Sequence, residues 1–243
     1  MLISICCGFS LVAADTHKIL RIGHRGASGY EPENTLRSFK KALDLGVDMI
    51  EFDVHVCASG ELVVIHDAKV DRTTNGTGYV ARKTLPELQK LDAGKGERIP
   101  TLIEVLDLIN QQVVVNIELK GVNTAEPVAK IISEYVTQKK WSYDKFLVSS
   151  FNHVELLKFK KLVPQVPTEA LLEGVPVRLA SFAQDCKAQA IGIYKDCITQ
   201  EYVNDAHKRK LKVYVFTVNE PDEIERVKKL GVDGIFSNFP DRL

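Results

Sequence analysis

Seven side chains able to do ionic or proton chemistry sit at the ends of short β-branched runs: His24, Arg25, Glu51, Asp53, His66, Glu118 and Lys120. His24 and Arg25 follow RIG, Glu51 and Asp53 lie within MIEFDV, His66 and Asp67 follow VVI, and Glu118 and Lys120 close VVNIELK. Residues two apart on a strand share a face, so Glu51 projects with Asp53, and Glu118 with Lys120. A strand buried on both faces normally excludes carboxylates, so both runs spend core positions on charge. Three carboxylates converging on one rim repel unless something compensates, and a hard divalent cation, Mg2+ or Ca2+, does so with oxygen ligands. Zinc would favour more His or Cys. The alternative is internal salt bridging, of Glu51 and Asp53 to Arg25 or Lys120 and of Glu118 to Lys120. His24 and His66 can divide general base and general acid work near neutral pH. Arg25, with its bidentate fork, and Lys120, a point charge, suit a phosphate. The combined chemistry is metal-assisted attack at phosphorus. His17, His55, His153 and His207 fit surface or helix positions, although His55 alternates into register with Glu51 and Asp53.

The elements that must position these groups alternate. Strands are expected at Ile19–Gly23, Met49–Val54, Val113–Glu118, Phe146–Ser150, Thr168–Leu172, Ala190–Tyr194, Val213–Val218 and Gly234–Ser237. Helical periodicity falls between them at Thr35–Leu45, Leu102–Ile109, Glu126–Gln138, Val154–Lys161 and Pro221–Leu230. In the last of these, Ile224, Val227 and Leu230 recur at helical spacing with charges between them. Gly46, Gly121, Gly174 and Gly231 stand where elements should stop. Strand–helix alternation repeated about eight times implies a parallel α/β sheet, most economically a closed (β/α)8 TIM barrel. A doubly wound open sheet is the runner-up, but GHRGASG lacks the G-x-G-x-x-G spacing of a dinucleotide site. From Ser59 to Pro100 the rhythm breaks into a strand-like Leu62–Ile65, a turn-rich TTNGTG and a short helix pattern at Leu85–Leu91. This interval, 59–100, reads as a small insertion after the second strand, on the barrel face where active sites sit.

The 243 residues, 45% hydrophobic and 26% charged, then divide into an apolar segment 1–14 and one barrel domain 15–243. Lys plus Arg and Asp plus Glu number 32 each, which argues against nucleic acid or an anionic membrane as partner. No apolar run is long enough for stable membrane insertion. Cys6, Cys7, Cys57, Cys186 and Cys197 form no C-x-x-C and read as small buried fillers in a reduced protein. MLISICCGFSLVAAD resembles a signal-peptide core with cleavage before Asp15, but has no basic n-region. A cytoplasmic location is favoured, with export to the periplasm the alternative. The sequence assigns no oligomeric state.

Eight stretches carry a resemblance that runs in order from about Ile19 to the C-terminus. They are GHRGASGYEPENT, EFDVHV, VVIHD, DRTTNGTG, NIELKG, VSSF, FTVNE and GVDGIFSNFPD, and together they resemble the glycerophosphodiester phosphodiesterase family. The first four are highly specific; VSSF alone would mean little. The resemblance implies a (β/α)8 barrel and hydrolysis of glycerophosphodiesters to sn-glycerol 3-phosphate and an alcohol with Ca2+ or Mg2+. By position it assigns Glu51, Asp53 and Glu118 to the metal, His24 and His66 to acid–base catalysis, and Arg25 and Lys120 to the phosphate. It implies attack by the glycerol 2-hydroxyl and a cyclic phosphate that water opens. Within PENT, Glu33 is either a site or a structural residue, and Asn34 or Thr35 is a candidate cap of the first helix.

Two positions depart from the family pattern. Phe216 stands where Trp is frequent as a substrate wall, which removes an indole N–H. Asn238 stands where Asp is usual, and almost no final helix follows, so the N-terminal segment is expected to help close the barrel. A second function, lysophospholipase D or sphingomyelinase D-like action on membrane lipids, would need an exposed apolar rim or an anchor. A third, a barrel that binds a phosphate ester without turning it over, conflicts with retention of all five carboxylate and histidine positions.

Overall fold

The computed structural model describes residues 18–243, so the expectations for the apolar segment 1–14, Cys6, Cys7 and His17 lie outside the described residues. Eight parallel strands close on themselves: β1 (Leu20–His24), β2 (Met49–Val56), β4 (Val114–Leu119), β5 (Phe146–Ser150), β6 (Thr168–Leu172), β7 (Ala190–Tyr194), β8 (Lys212–Phe216) and β9 (Gly234–Ser237). β1 pairs with both β2 and β9, which makes the sheet a barrel and excludes the open doubly wound alternative. β3 (Leu62–Val64) is antiparallel to the end of β2 and begins the insertion.

Helices α1 (Leu36–Asp44), α3 (Leu102–Ile109), α4 (Ala125–Lys139), α5 (His153–Leu162), α6 (Phe182–Asp185), α7 (Gln200–Lys208) and α8 (Pro221–Lys229) connect the strands, and α2 (Leu85–Leu88) belongs to the insertion. Their ends follow local chemistry. Thr35, not Asn34, caps α1, its hydroxyl accepting from the Ser38 N–H. Thr101 and Glu104 form a reciprocal capping box on α3. Pro221 opens α8, with Asp222 and Glu223 in its first turn and Arg226, Lys228 and Lys229 in its last. α7 was not anticipated from periodicity; Tyr202, Val203 and Ala206 form its buried face. β8 ends at Phe216, short of the expected Val218.

The period of two on each strand sorts side chains between two environments. On β2, Ile50, Phe52 and Val54 face outward into the main core, with Leu102, Leu106, Phe159 and Tyr202 of the helices. Met49 points inward and joins Ile22, Leu147, Ala190, Tyr214 and Phe236 in an apolar plug inside the barrel. Glu51 and Asp53, two and four residues further along β2, therefore project into the barrel above that plug. Floor and catalytic layer come from one alternation.

The insertion has a small cluster of its own, built from Cys57, Val63, Ile65, Val70, Val80, Leu88, Ala93 and Ile99. It is not independent, because Leu62 and Val64 of β3 pack into the main core while Val63 and Ile65 pack into the insertion. After β9 the chain makes one short turn at Pro240–Arg242, and the Phe239 ring meets Tyr30 edge-on at 5.2 Å. Cys57 and Cys186 are buried, Cys197 is partly buried, and among the described residues none is paired with another cysteine.

Candidate active site

The C-terminal end of the barrel brings Glu51, Asp53 and Glu118 together, with one ligand oxygen of each within 4.8 Å of the others. All three are buried, Asp53 completely. Arg25, whose backbone is left-handed at φ 54°, turns its N–H onto Glu51 Oε2 at 2.9 Å. Its Nε lies 3.5 Å from Asp53 Oδ2. Asn34 donates through Nδ2 to the same Asp53 oxygen at 2.9 Å, and Lys120 Nζ sits 3.0 Å from Glu118 Oε1. Of the internal salt bridges weighed from sequence, Arg25–Asp53 and Lys120–Glu118 form, whereas Glu51, among the described residues, accepts only the Arg25 backbone N–H, and the cluster is not neutralised.

Burial, with the charges of Asp53 and Glu118 beside it, pushes Glu51 well above the usual carboxylate range. Burial and Asp53 push Glu118 up to about 8, even with Lys120 alongside. For Asp53 burial also raises the value, but Arg25, His66, Lys120 and the Asn34 hydrogen bond outweigh it and hold the group low. Asp53 Oδ1 is buried with no hydrogen-bond partner among the described residues. An all-carboxylate donor set that resists full ionisation, with one oxygen unengaged, fits a hard divalent cation.

The two histidines flank this cluster, and each is oriented through Nδ1. His24 Nδ1 is 2.7 Å from Asn238 Oδ1, and the Ser28 hydroxyl is 2.9 Å from that same oxygen. His66 Nδ1 is 2.5 Å from Asp67 Oδ1. With a carbonyl or carboxylate accepting from Nδ1–H, Nε2 is left as the proton-exchanging atom of each ring. Burial, then Arg25, lowers His24 to about 4, with the Asn238 hydrogen bond opposing. Burial also lowers His66.

Both rings open onto a cavity of about 310 Å³. Arg25, Glu51, Glu118 and Lys120 line it together with Phe151, Leu171, Tyr194, Phe216 and Phe236, and so do the charged Glu173 and Lys195. The Phe216 ring stands edge-on to Phe151 at 5.7 Å and to Phe236 at 6.3 Å, and Lys120 Nζ lies 5.1 Å from the Phe151 ring centre. Charged and aromatic side chains sharing a small cavity suit an anionic diester with an organic substituent.

Residues 24–242 match the model of the glycerophosphoryl diester phosphodiesterase family. The chain belongs to that family. A glycerophosphodiester phosphodiesterase of Caldanaerobacter subterraneus is 41% identical over 93% of this chain and 96% of its own length. One from Bacillus subtilis is 34% identical over 92% of this chain and 85% of its own. Among solved structures, an Oleispira antarctica phosphodiesterase in complex with the product sn-glycerol 3-phosphate has 32% identity and a TM-score of 0.84, covering 91% of this chain and 93% of that one.

Both departures from the family pattern lie at this site. Asn238 supplies a carbonyl oxygen for His24 Nδ1, and Phe216 still forms part of an aromatic wall. Glu33 bridges Arg25 Nη1 at 2.9 Å and Arg72, so it supports the site without lining the cavity. His55 is structural: its Nε2 meets the His66 carbonyl at 3.0 Å, and its ring fills the space over Gly121. His153 and His207 likewise bond Leu171 O and Asp233 Oδ2, each at 2.9 Å.

Several contributors were not read from the sequence. Phe151 and Tyr194 complete the aromatic wall, and Arg72 reaches in from the insertion. Glu169 on β6 is a fully buried carboxyl inside the barrel, accepting from Asn116 Nδ2 at 2.7 Å. It fits because position 192 is glycine: a Cβ there would lie 2.3 Å from Glu169 Oε1. Burial raises Glu169 to about 8. An acid at the second position of TEALL was the available signal.

Proposed function

We propose that this protein hydrolyses glycerophosphodiesters to sn-glycerol 3-phosphate and an alcohol, using Mg2+ or Ca2+ held by Glu51, Asp53 and Glu118. The observation that carries this is the three-carboxylate cluster lying between two Nδ1-anchored histidines and two cationic side chains. When bound, the cation neutralises the carboxylates and polarises a phosphoryl oxygen. Arg25 and Lys120 hold the remaining phosphate charge. One histidine Nε2 takes the proton of the glycerol 2-hydroxyl as its oxygen bonds phosphorus, and the other protonates the departing alcohol as that P–O bond breaks. The resulting cyclic phosphate opens by the reverse division of labour. A water loses its proton to the second histidine and bonds phosphorus, while the first returns its proton to the 2-oxygen. Phe216 and Phe151 pack against the organic substituent.

A panel of glycerophosphocholine, glycerophosphoethanolamine and glycerophosphoglycerol, assayed with Mg2+ and Ca2+ in parallel, tests this reading. Release of sn-glycerol 3-phosphate from at least one diester is expected. Its absence from all three with either cation would overturn the function.

A lysophospholipase D-like activity is a second reading, favoured by one feature. Val122, Phe151, Val154, Val175 and Val177 are exposed on the loops or helix start that follow β4, β5 and β6, Val177 entirely so. Four of the five follow β5 or β6, the strands that lead to Phe151 and carry Leu171 of the cavity lining, and they were not expected from sequence. Val175→Asp with Val177→Asp should then depress choline release from lysophosphatidylcholine and spare glycerophosphocholine. Unchanged choline release from lysophosphatidylcholine in that double variant, or none from the wild-type chain, would remove the second reading.

Among the described residues no helix is long and apolar enough to cross a membrane. A cytoplasmic location fits the unpaired Cys57, Cys186 and Cys197. N-terminal sequencing of the mature protein tests it.

A further inference from the structure

The insertion contributes a side chain that the reaction chemistry does not use. Arg72 lies in the turn-rich stretch after β3, with its side chain 47% exposed. Its Nη1 and Nη2 donate to Glu33 Oε2 and Oε1, both at 2.8 Å. Its Nε donates to Asp67 Oδ2 at 2.7 Å, and Nη2 reaches Asp67 Oδ1 at 3.1 Å. Each carboxylate passes the connection inward. Glu33 Oε1 accepts from Arg25 Nη1 at 2.9 Å, and Asp67 Oδ1 holds His66 Nδ1 at 2.5 Å.

One planar guanidinium thus spans two carboxylates, one tied to a phosphate-facing arginine and the other to an acid–base histidine. An exposed ion pair contributes little to stability, so four hydrogen bonds from one half-exposed arginine call for a different explanation. The fork geometry offers one. A bidentate contact fixes direction as well as distance, which a lysine cannot do for two carboxylates at once. The Arg72 hydrogen bonds, first among the causes, hold the Asp67 carboxyl far below its usual range. It therefore stays an acceptor and keeps the His66 proton on Nδ1.

We propose that Arg72 is a positioning residue of the hydrolase, clasping Glu33 and Asp67 so that the insertion sets the orientation of both Arg25 and His66. This rests on the phosphodiesterase reading, and its consequences divide between two arms. Through Asp67, Arg72 governs the proton-transfer geometry. Through Glu33, it governs the grip on phosphate.

The test uses the full chain with Mg2+ and glycerophosphocholine. Asp67→Asn should lower kcat about 10- to 100-fold with KM nearly unchanged. Glu33→Gln should chiefly raise KM, by about 10-fold. Arg72→Ala should do both, and Arg72→Lys should restore neither fully. Guanidinium ion at millimolar concentration should recover part of the Arg72→Ala kcat and leave Asp67→Asn unchanged. The Arg72→Ala, Asp67→Asn double variant should be no slower than the slower single variant, because both changes cut one connection. Should Arg72→Ala fail to fold, Arg72→Lys carries the same comparison. Wild-type kcat and KM in Arg72→Ala, or losses that multiply in the double variant, overturn the proposal. A wild-type chain inactive on every glycerophosphodiester would overturn the underlying function as well, and is distinguished by that inactivity.

Discussion

Around β1, β2 and β4 the barrel mouth is a lattice of charged side chains tied to one another; around β5 to β9 its lining carries four aromatic rings beside the charged Glu173 and Lys195. In the first half, Arg25, Asn34, Asp53 and Glu118 are each engaged by a hydrogen bond or ion pair of 3.0 Å or less, as are His24 and His66. In the second half the rings meet one another, at centroid distances of 5.7–6.3 Å among Phe151, Tyr194, Phe216 and Phe236. The contrast separates two tasks. Charge must be held in place before reaction, because reorienting it during the reaction adds to the barrier. Apolar shape tolerates substitution, since dispersion contacts are many and individually weak. The two departures from the family pattern fit this division. Asn238 replaces a charge but keeps a directed acceptor on His24, whereas Phe216 gives up a donor and keeps only a ring.

The largest effects should come from the charged half. His24→Ala and His66→Ala are each expected to lower kcat by roughly 10²–10⁴-fold, measured as sn-glycerol 3-phosphate release. Wild-type turnover in either variant would remove that ring from the proton transfers. Asp53→Asn should cost roughly 10²–10³-fold and weaken cation binding by calorimetry. Unaltered cation affinity would separate Asp53 from the metal. In the aromatic half, Phe216→Ala should change KM more than kcat, by about 10-fold, because ring packing serves ground state and transition state alike. A kcat-only loss there would erase the distinction between the halves.

The smallest effect on catalysis should come from below the mouth, at Glu169. Its carboxyl is raised from 4.5 to about 8, so the folded chain keeps a proton that the unfolded chain releases. The folded state therefore binds more protons between those values, and stability falls as pH rises from about 4.5 toward 8. Glu169→Gln should flatten that slope and gain at least about 1 kcal/mol at pH 8 in urea denaturation, with kcat nearly unchanged. A variant with the wild-type pH slope would show that Glu169 is ionised in the fold.

What could be read from the chain divides along the same physical lines. The eight barrel strands and most of the helices, though not α6 or α7, were legible because buried β-branched runs and amphipathic stretches alternate. The convergence of Glu51, Asp53 and Glu118 was legible because carboxylates two apart on buried strands must share the barrel interior. Arg72 was not: its partners, Glu33 and Asp67, come from different loops, and TTNGTG reads locally as turn chemistry. Glu169 was hidden for the opposite reason. Its burial depends on the missing side chain at Gly192, a contact between neighbouring strands with no trace in local periodicity. The exposed valines on the β4 to β6 side were equally silent, since single apolar residues in loops carry no pattern.

The central claim is that three buried carboxylates serve a cation in a phosphodiester hydrolysis. Its most direct test is sn-glycerol 3-phosphate release from glycerophosphocholine before EDTA, after EDTA, and after restoring Mg2+ or Ca2+ in excess. The structure predicts turnover that disappears on chelation and returns with the cation. Turnover undiminished by EDTA would contradict it.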